Sequence, residues 1–254
     1  MEVLWGSALF VAAVVLVCEA ARSVLRGELL TEVVSTLQLC CCVSELALLG
    51  AEGGLSPSLG LGLTYLFTII HSSTARAACN PCGSLQPWLR NQAPARNTAM
   101  RVGAQFVGSA LSYVVMPAVW GAGLIPLHRT WSGVCRSPLH TSLLSGAAVE
   151  MLCTLGLFAL LHRLDQVKAP YRVHAVALLI TAMVLAGGHL TGAVFNPALA
   201  FSLVFNCVGN TFFEYAFVYW LGPLVGLVVS LLLFDGSIPK LKGSVPTEYR
   251  LKRD

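Results

Sequence analysis

Two asparagine–proline pairs are the residues of this chain whose type and spacing most directly suggest shared chemistry. The first lies in Cys79-Asn80-Pro81-Cys82 and the second in Phe195-Asn196-Pro197-Ala198, and the asparagines are 116 residues apart. Asn is a favoured N-cap, and Pro fits the first helical position because its missing N–H would be unpaired there anyway. Each pair therefore predicts a helix start at which an asparagine amide is left to donate to a neutral oxygen.

Two glutamates precede these pairs in the same order. They lie in Glu32-Val-Val-Ser-Thr36 and Glu150-Met-Leu-Cys-Thr154, 118 residues apart. Either they relay protons, since an ionisable group within a membrane span is functional by default, or each accepts hydrogen bonds from loop N–H groups. Their symmetry favours the second, loop-supporting role.

The spacing of two cysteines raises the question of a redox or metal site. Cys79-x-x-Cys82 could form a thiol-redox or zinc site, but this needs a lowered thiol pKa or two further ligands. His71 and His189 lie at unrelated spacings. We therefore favour cysteines that line a pore or pack in the interior. The nine cysteines do not resemble a disulfide scaffold, because most fall inside apolar runs.

The elements that position these residues are set by the composition. Hydrophobic residues make up 56% of the chain and charged residues 11%, about half the charged fraction of a soluble domain. Apolar runs, most of them near the ~20 residues that cross a bilayer, cover roughly 3–18, 29–49, 55–70, 99–125, 139–161, 173–190 and 212–234. The composition predicts a multi-pass integral membrane protein and excludes a soluble globule.

The basic residues predict its orientation. All sixteen Lys and Arg residues except Arg129 and Arg136 fall in one set of connections between the runs. We call the face of the membrane that carries this set the basic face. Such an excess marks the cytoplasmic side, and it places the C-terminus there.

The paired motifs predict an inverted repeat. Each half has a glutamate-bearing span, a second span, an Asn-Pro segment and a third span, so the odd number of spans orients the halves oppositely. The predicted organisation is an extra hydrophobic segment at 1–27, a first repeat at 28–125, a connecting loop at 126–138, a second repeat at 139–236 and a basic tail at 237–254. We expect the extra segment to be a helix packed outside the pore.

Inversion brings the two Asn-Pro helix starts together near the membrane midplane. Irregular backbone survives at that depth only where it is buried in protein or lines a wet cavity. The positive ends of two half-helices oppose cations and protons. The arrangement predicts a pore for uncharged hydroxylic molecules.

These residues carry a family resemblance. The run from Gly188 to Ala198 resembles the second signature loop of the aquaporins, and the run from Tyr219 to Gly226 resembles their last span. Cys82 after the first Asn-Pro pair, together with Cys207, is similar to the unorthodox (super-aquaporin) branch. The resemblance implies an all-α fold with six transmembrane helices and two re-entrant half-helices, with Asn80, Pro81, Cys82, Asn196, Pro197 and Ala198 at the pore midplane.

The resemblance also marks where this chain departs from water-selective members. Their filter arginine corresponds to Leu199, their filter histidine to Val184, and the other filter neighbours to Ala193 and Gly60. It implies a homotetramer in the endoplasmic reticulum or another intracellular membrane, with the plasma membrane as an alternative. It further implies water, glycerol or hydrogen peroxide as permeants and lipid as surroundings, without enzymatic activity, cofactor, metal or nucleic acid.

Two alternative functions remain open at this point. The chain could be a structural membrane protein on the same scaffold with little conduction. Less favoured is a membrane thiol-redox protein that uses Cys79 and Cys82.

Overall fold

The computed structural model describes residues 2–164 and 167–240, and in these ranges every apolar run becomes a long helix. In chain order, the elements are α1 Glu2–Val24, α2 Glu28–Glu52, α3 Pro57–Thr74, α4 Pro81–Leu89, α5 Ala95–Gly121, a 3-10 turn Pro126–Thr130, α6 Leu143–Arg163, α7 Ala169–Thr191, α8 Pro197–Leu203, α9 Phe212–Ala216, a π-helical turn Phe217–Leu221 and α10 Gly222–Phe234. The last three are consecutive segments of one long helix. The predicted tail beyond residue 240 lies outside the described residues.

Six helices of the described ranges are long and apolar enough to cross a membrane. They are α1, α2, α5, α6, α7 and the helix formed by residues 212–234. The remaining long helix, α3, has 18 residues and carries Thr64, Thr68 and His71 among its apolar side chains. These three polar side chains lie beside a cavity.

A close contact between two helices occurs once in each half, and the two contacts have the same sequence offset as Glu32 and Glu150. A Cβ added to Gly108 of α5 would lie 2.4 Å from the carbonyl oxygen of Val33 in α2. A Cβ added to Gly226 of α10 would lie 2.3 Å from the carbonyl oxygen of Met151 in α6. Both the glycines and their partners are 118 residues apart. Only glycine permits so close an approach, so the two halves pack their first and third long helices in the same way.

The first helix lies against α2 and the 3-10 turn, and little of it is buried. Polar contacts hold both of its ends: Ser7 Oγ donates to Glu45 Oε1 over 2.7 Å, and Arg22 Nη2 donates to Gln38 Oε1 over 2.8 Å. Lipid supplies no hydrophobic drive for helices to associate. These buried polar contacts therefore contribute to the attachment of α1.

A disulfide joins the connection between the halves to the segment after α8. Cys135 and Cys207 are bonded, with their Cα atoms 4.8 Å apart. The expectation of no disulfide is therefore wrong for this pair, while the other seven cysteines are free and buried. Beside the disulfide, Val208 N–H donates to Cys135 O over 2.9 Å. This tie lies on the face opposite the basic face.

Candidate functional site: a cavity between paired half-helices

The two Asn–Pro pairs begin α4 and α8. Asn80 has an extended backbone, and its Oδ1 accepts from Cys82 N–H over 2.9 Å. Asn196 is also extended, and its Oδ1 accepts from Ala198 N–H over 3.0 Å and Leu199 N–H over 3.3 Å. Both side-chain oxygens are thus used as N-caps, and both side-chain NH₂ groups remain to donate.

The first half-helix, α4, contains a proline in its last turn. It continues through Pro87 to Leu89. Its end is then held from the chain beyond α10, because Arg90 donates to both carboxylate oxygens of Asp235, over 2.6 and 3.0 Å.

Glu32 holds the loop that leads into α4. Its two carboxylate oxygens accept from the N–H groups of Ala78 and Cys79, each over 3.2 Å. Gln105 Nε2 of α5 donates to the same carboxylate over 3.1 Å. Every partner is a donor, so the carboxylate oxygens act as acceptors that tie the loop to α2 and α5.

Glu150 holds the second loop in the same manner. It accepts from Val194 N–H over 3.0 Å, from Phe195 N–H, and from the Thr191 hydroxyl over 2.6 Å. Phe195 and its counterpart Cys79 both have a positive φ, 37° and 53°, a conformation that costs energy for side chains other than glycine. The carboxylates therefore stabilise strained backbone at both helix starts.

A single cavity of about 560 Å³ runs past both asparagines. Along α3 its lining extends from Pro57 to Ser72, about 22 Å of helix length. The lining contains neither Asp, Glu, Lys nor Arg among the described residues, and neither Glu32 nor Glu150 belongs to it. The cavity is therefore mostly apolar and carries no permanently charged side chain.

All four positions proposed for the filter line this cavity: Gly60 of α3, Val184 of α7, Ala193 of the second loop and Leu199 of α8. Leu199 offers no side-chain hydrogen bond, and its N–H is bound to Asn196. A Cβ added to Gly60 would meet no protein atom within 4 Å. At these four positions the cavity thus presents apolar side chains and open space.

The two cysteines of the Cys-x-x-Cys motif lie in different surroundings. Cys79 lines the cavity. Cys82 is fully buried and packs with Phe158, Leu227 and Ile238, away from the cavity lining. Both thiols are free. Pro81, Pro197 and Ala198, which were also predicted at the pore midplane, are buried and do not belong to the cavity lining.

One set of cavity residues was missed by the sequence analysis. Thr64, Thr68 and His71 of α3 line the cavity. Their i, i+4, i+7 spacing was the available signal, because it puts three polar groups on one face of an apolar helix. His189, near the end of α7, also belongs to the lining.

Comparison with known proteins identifies the architecture. The model of the major intrinsic protein family matches residues 56–234. The chain belongs to this family, the family of the aquaporins. It is 37% identical to Aquaporin-11 of Equus caballus over 239 residues, covering 90% of this chain and 88% of that protein. It is 36% identical to Aquaporin-12 of Mus musculus over 241 residues, covering 89% and 83%.

A solved structure agrees with the fold. The X-ray structure of the aquaglyceroporin from Plasmodium falciparum matches with a TM-score of 0.64 at 20% identity, covering 84% of this chain and 97% of that chain. The predicted family and the predicted all-α integral membrane fold are confirmed. The aquaporin family comprises channels for water or small solutes, so this chain is a multi-pass membrane channel and not an enzyme.

Proposed function

We propose that this aquaporin-family channel passively conducts water, glycerol and hydrogen peroxide through the cavity that contains Asn80 and Asn196. The observation that carries the proposal is that both asparagines and the four apolar filter positions line one cavity whose described lining contains no Asp, Glu, Lys or Arg. A small neutral solute can pass such a lining, whereas an ion would lose its hydration without compensation.

The filter residues support a preference among these solutes. An arginine would supply five donors and a permanent charge, but Leu199 supplies neither. A water molecule separated from its neighbours is poorly compensated beside Leu199, Val184 and Ala193. Glycerol carries apolar surface of its own, so leaving bulk water costs it less free energy beside these side chains. Hydrogen peroxide resembles a water molecule of slightly larger size. We therefore expect modest water flux relative to glycerol flux.

We further propose that the basic face is cytoplasmic and that the membrane is intracellular. The distribution of Lys and Arg supports the orientation. The disulfide between Cys135 and Cys207 supports it independently, because it lies on the opposite face, and disulfides persist in oxidising compartments such as the endoplasmic reticulum lumen. Labelling with a membrane-impermeant reagent of a cysteine introduced next to Arg163 tests the orientation.

A homotetramer embedded in lipid completes the proposal. It is supported by the family resemblance and by large apolar side chains exposed on several helices, among them Leu16, Val114 and Leu185. Cross-linking in native membranes tests it, because a ladder that stops at four subunits is expected.

The proposed conduction is tested with the purified full chain in proteoliposomes. Stopped-flow light scattering measures water and glycerol, and an enclosed peroxide-sensitive dye measures hydrogen peroxide. We expect rates above those of protein-free vesicles for all three solutes. Rates equal to protein-free vesicles for all three would contradict conduction and favour a structural role on an aquaporin scaffold.

A further inference from the structure

An arginine of the additional helix approaches the cavity wall from outside. The side chain of Arg22 is only 3% exposed, although it lies near the end of a helix that is mostly exposed. Its guanidinium donates to Glu19 over 2.8 Å, to Ser35 Oγ over 3.3 Å and to Gln38 Oε1 over 2.8 Å. Arg22 is thus inserted between α1 and α2.

Gln38 links Arg22 of α1 to two side chains of α3. It is fully buried, and its Nε2 lies 3.3 Å from Thr74 Oγ1 and 3.4 Å from His71 Nδ1. Arginine has donors only, so the amide oxygen of Gln38 must face Arg22 and its NH₂ group must face α3. The Thr74 hydroxyl already donates to Ile70 O over 2.9 Å, so its oxygen is the acceptor. One hydrogen of the amide is then left for His71.

The tautomer of His71 follows from this order of donors. A ring nitrogen that accepts a hydrogen bond carries no proton, so Nδ1 is bare and the proton of the neutral ring is on Nε2. His71 lines the cavity toward the basic face. We propose that Arg22 is a positioning residue of the conduit: through Gln38 it keeps His71 neutral and presents Nε2–H as a donor to passing solute.

This inference rests on the proposed channel function and deepens it. The proposed filter has Leu199 where an arginine could stand. A permanent positive charge is instead present at the level of His71, where Arg22 is separated from the ring by the neutral side chain of Gln38. That charge disfavours a second positive charge on His71. It therefore keeps an uncharged donor in the path of neutral solutes.

The elements around His71 carry other charged or titratable groups, but none of them is seen to donate to Nδ1 of His71 in the described chain. These groups include Glu19, Glu32, Tyr65, Arg76, Cys79, Lys168, Tyr171, Arg172, His174 and His189. The two glutamates are bonded to Arg22 and to the first loop, and His174 is 2.7 Å from the Tyr65 hydroxyl. In the described chain, Gln38 is thus the side chain that donates to Nδ1 of His71.

The tautomer can be measured without any flux. Solid-state NMR of the full chain in lipid, with ¹⁵N-labelled histidine and His71 assigned by its loss in His71→Asn, should show bare Nδ1 and protonated Nε2 from pH 5.5 to pH 7.5, on both sides of the ordinary histidine pKa of about 6.5. A doubly protonated ring at pH 5.5, or a proton on Nδ1, overturns the proposal. Because no transport is involved, this result stands whether or not the channel conducts.

The pH profile of flux tests the functional consequence. Wild-type glycerol flux should be flat over this range. Arg22→Met should lose flux on acidification relative to the wild type, because burial alone then opposes a second proton on His71. Arg22→Lys keeps the charge and a donor and should stay flat, as should the exposed control Arg26→Met.

Two further variants separate a positioning role from a merely structural one. Arg22→Met combined with His71→Asn should have a flat profile again, because no titrating ring remains. If Arg22→Met does not fold, Gln38→Leu removes the donor to Nδ1 while the charge of Arg22 stays, and it should show an acid loss of smaller extent than Arg22→Met. A uniform loss at every pH in either Arg22→Met or Gln38→Leu overturns the proposal. Absence of flux in the wild type contradicts the proposed function instead.

Discussion

Asn80 and Asn196 each donate a hydrogen bond to the backbone carbonyl that immediately precedes the other. Asn80 Nδ2 lies 3.2 Å from Phe195 O, and Asn196 Nδ2 lies 2.8 Å from Cys79 O. One hydrogen of each side-chain NH₂ group is used in this reciprocal contact, and the second remains for the solute. The sequence predicts amides that donate to a neutral solute oxygen, and the reciprocal contact adds a structural role for the pair.

The reciprocal contact depends on the carboxylates behind it. Replacing Glu32 by Gln puts an amide NH₂ group against N–H donors of Ala78 and Cys79, so at least one buried bond is lost. We expect the free energy of unfolding to fall by about 2–3 kcal/mol. Glu28→Gln, one turn earlier on α2, is the matched control: Glu28 is exposed and pairs with Arg101, which is worth about 0–1 kcal/mol. Thermal unfolding in detergent measures both, and equal midpoints would contradict the loop-supporting role of Glu32.

The open space beside Gly60 predicts a graded block of the conduit. Gly60→Val adds a side chain whose Cβ meets no protein atom within 4 Å, at a position that lines the cavity. Flux should fall, and glycerol flux more than water flux, because glycerol is wider. Gly62→Val is the control, since Gly62 is also unobstructed, lies on the same helix and is not part of the lining. Equal flux in the two variants would mean that solute does not pass Gly60.

Leu199 is the residue whose replacement is most informative about substrate. Leu199→Arg restores donors and a charge at the filter, so it should lower glycerol flux relative to water flux. Stopped-flow light scattering on both solutes at matched protein density measures the ratio. A glycerol-to-water ratio that rises or stays unchanged would show that Leu199 is not at the filter.

The disulfide predicts coupled effects at two distant positions. Cys135 and Cys207 are separated by 72 residues, and closing a loop of this length contributes about 2–4 kcal/mol in the chain-entropy description. Cys207→Ser, Cys135→Ser and the double variant should therefore lose the same amount of stability. Additive losses would indicate that the two sulfurs are not bonded to each other. Under non-reducing conditions, wild-type protein should also show no labelling at either position.

Much of the fold could be predicted because bilayer thickness sets helix length and Asn-Pro sets helix starts. The run predicted at 55–70 became Pro57–Thr74, and the two asparagines begin α4 and α8. The spacing of Glu32 and Glu150 also located their acceptor positions, since a motif repeated in order must serve the same local geometry in both halves.

Contacts between segments that are distant in the chain could not be predicted from the sequence. Cys135 and Cys207 lie outside the apolar helices on one face, a signal outweighed by the cysteines inside the runs. Arg22 could be assigned to the basic face, but whether it points to solvent or inward depends on the rotation of α1 against α2. Likewise, the burial of Cys82 away from the cavity depends on how α4 packs against α6 and α10.

The account is tested most directly by glycerol flux through the double variant Asn80→Asp, Asn196→Asp. Aspartate keeps the N-cap oxygens but removes both NH₂ donors, so Phe195 O and Cys79 O each lose a partner and face a carboxylate. The buried charge also weakens the barrier to cations. With the variant folded and reconstituted at matched density, we predict that glycerol flux falls close to that of protein-free vesicles; flux equal to the wild type would contradict conduction past the two asparagines.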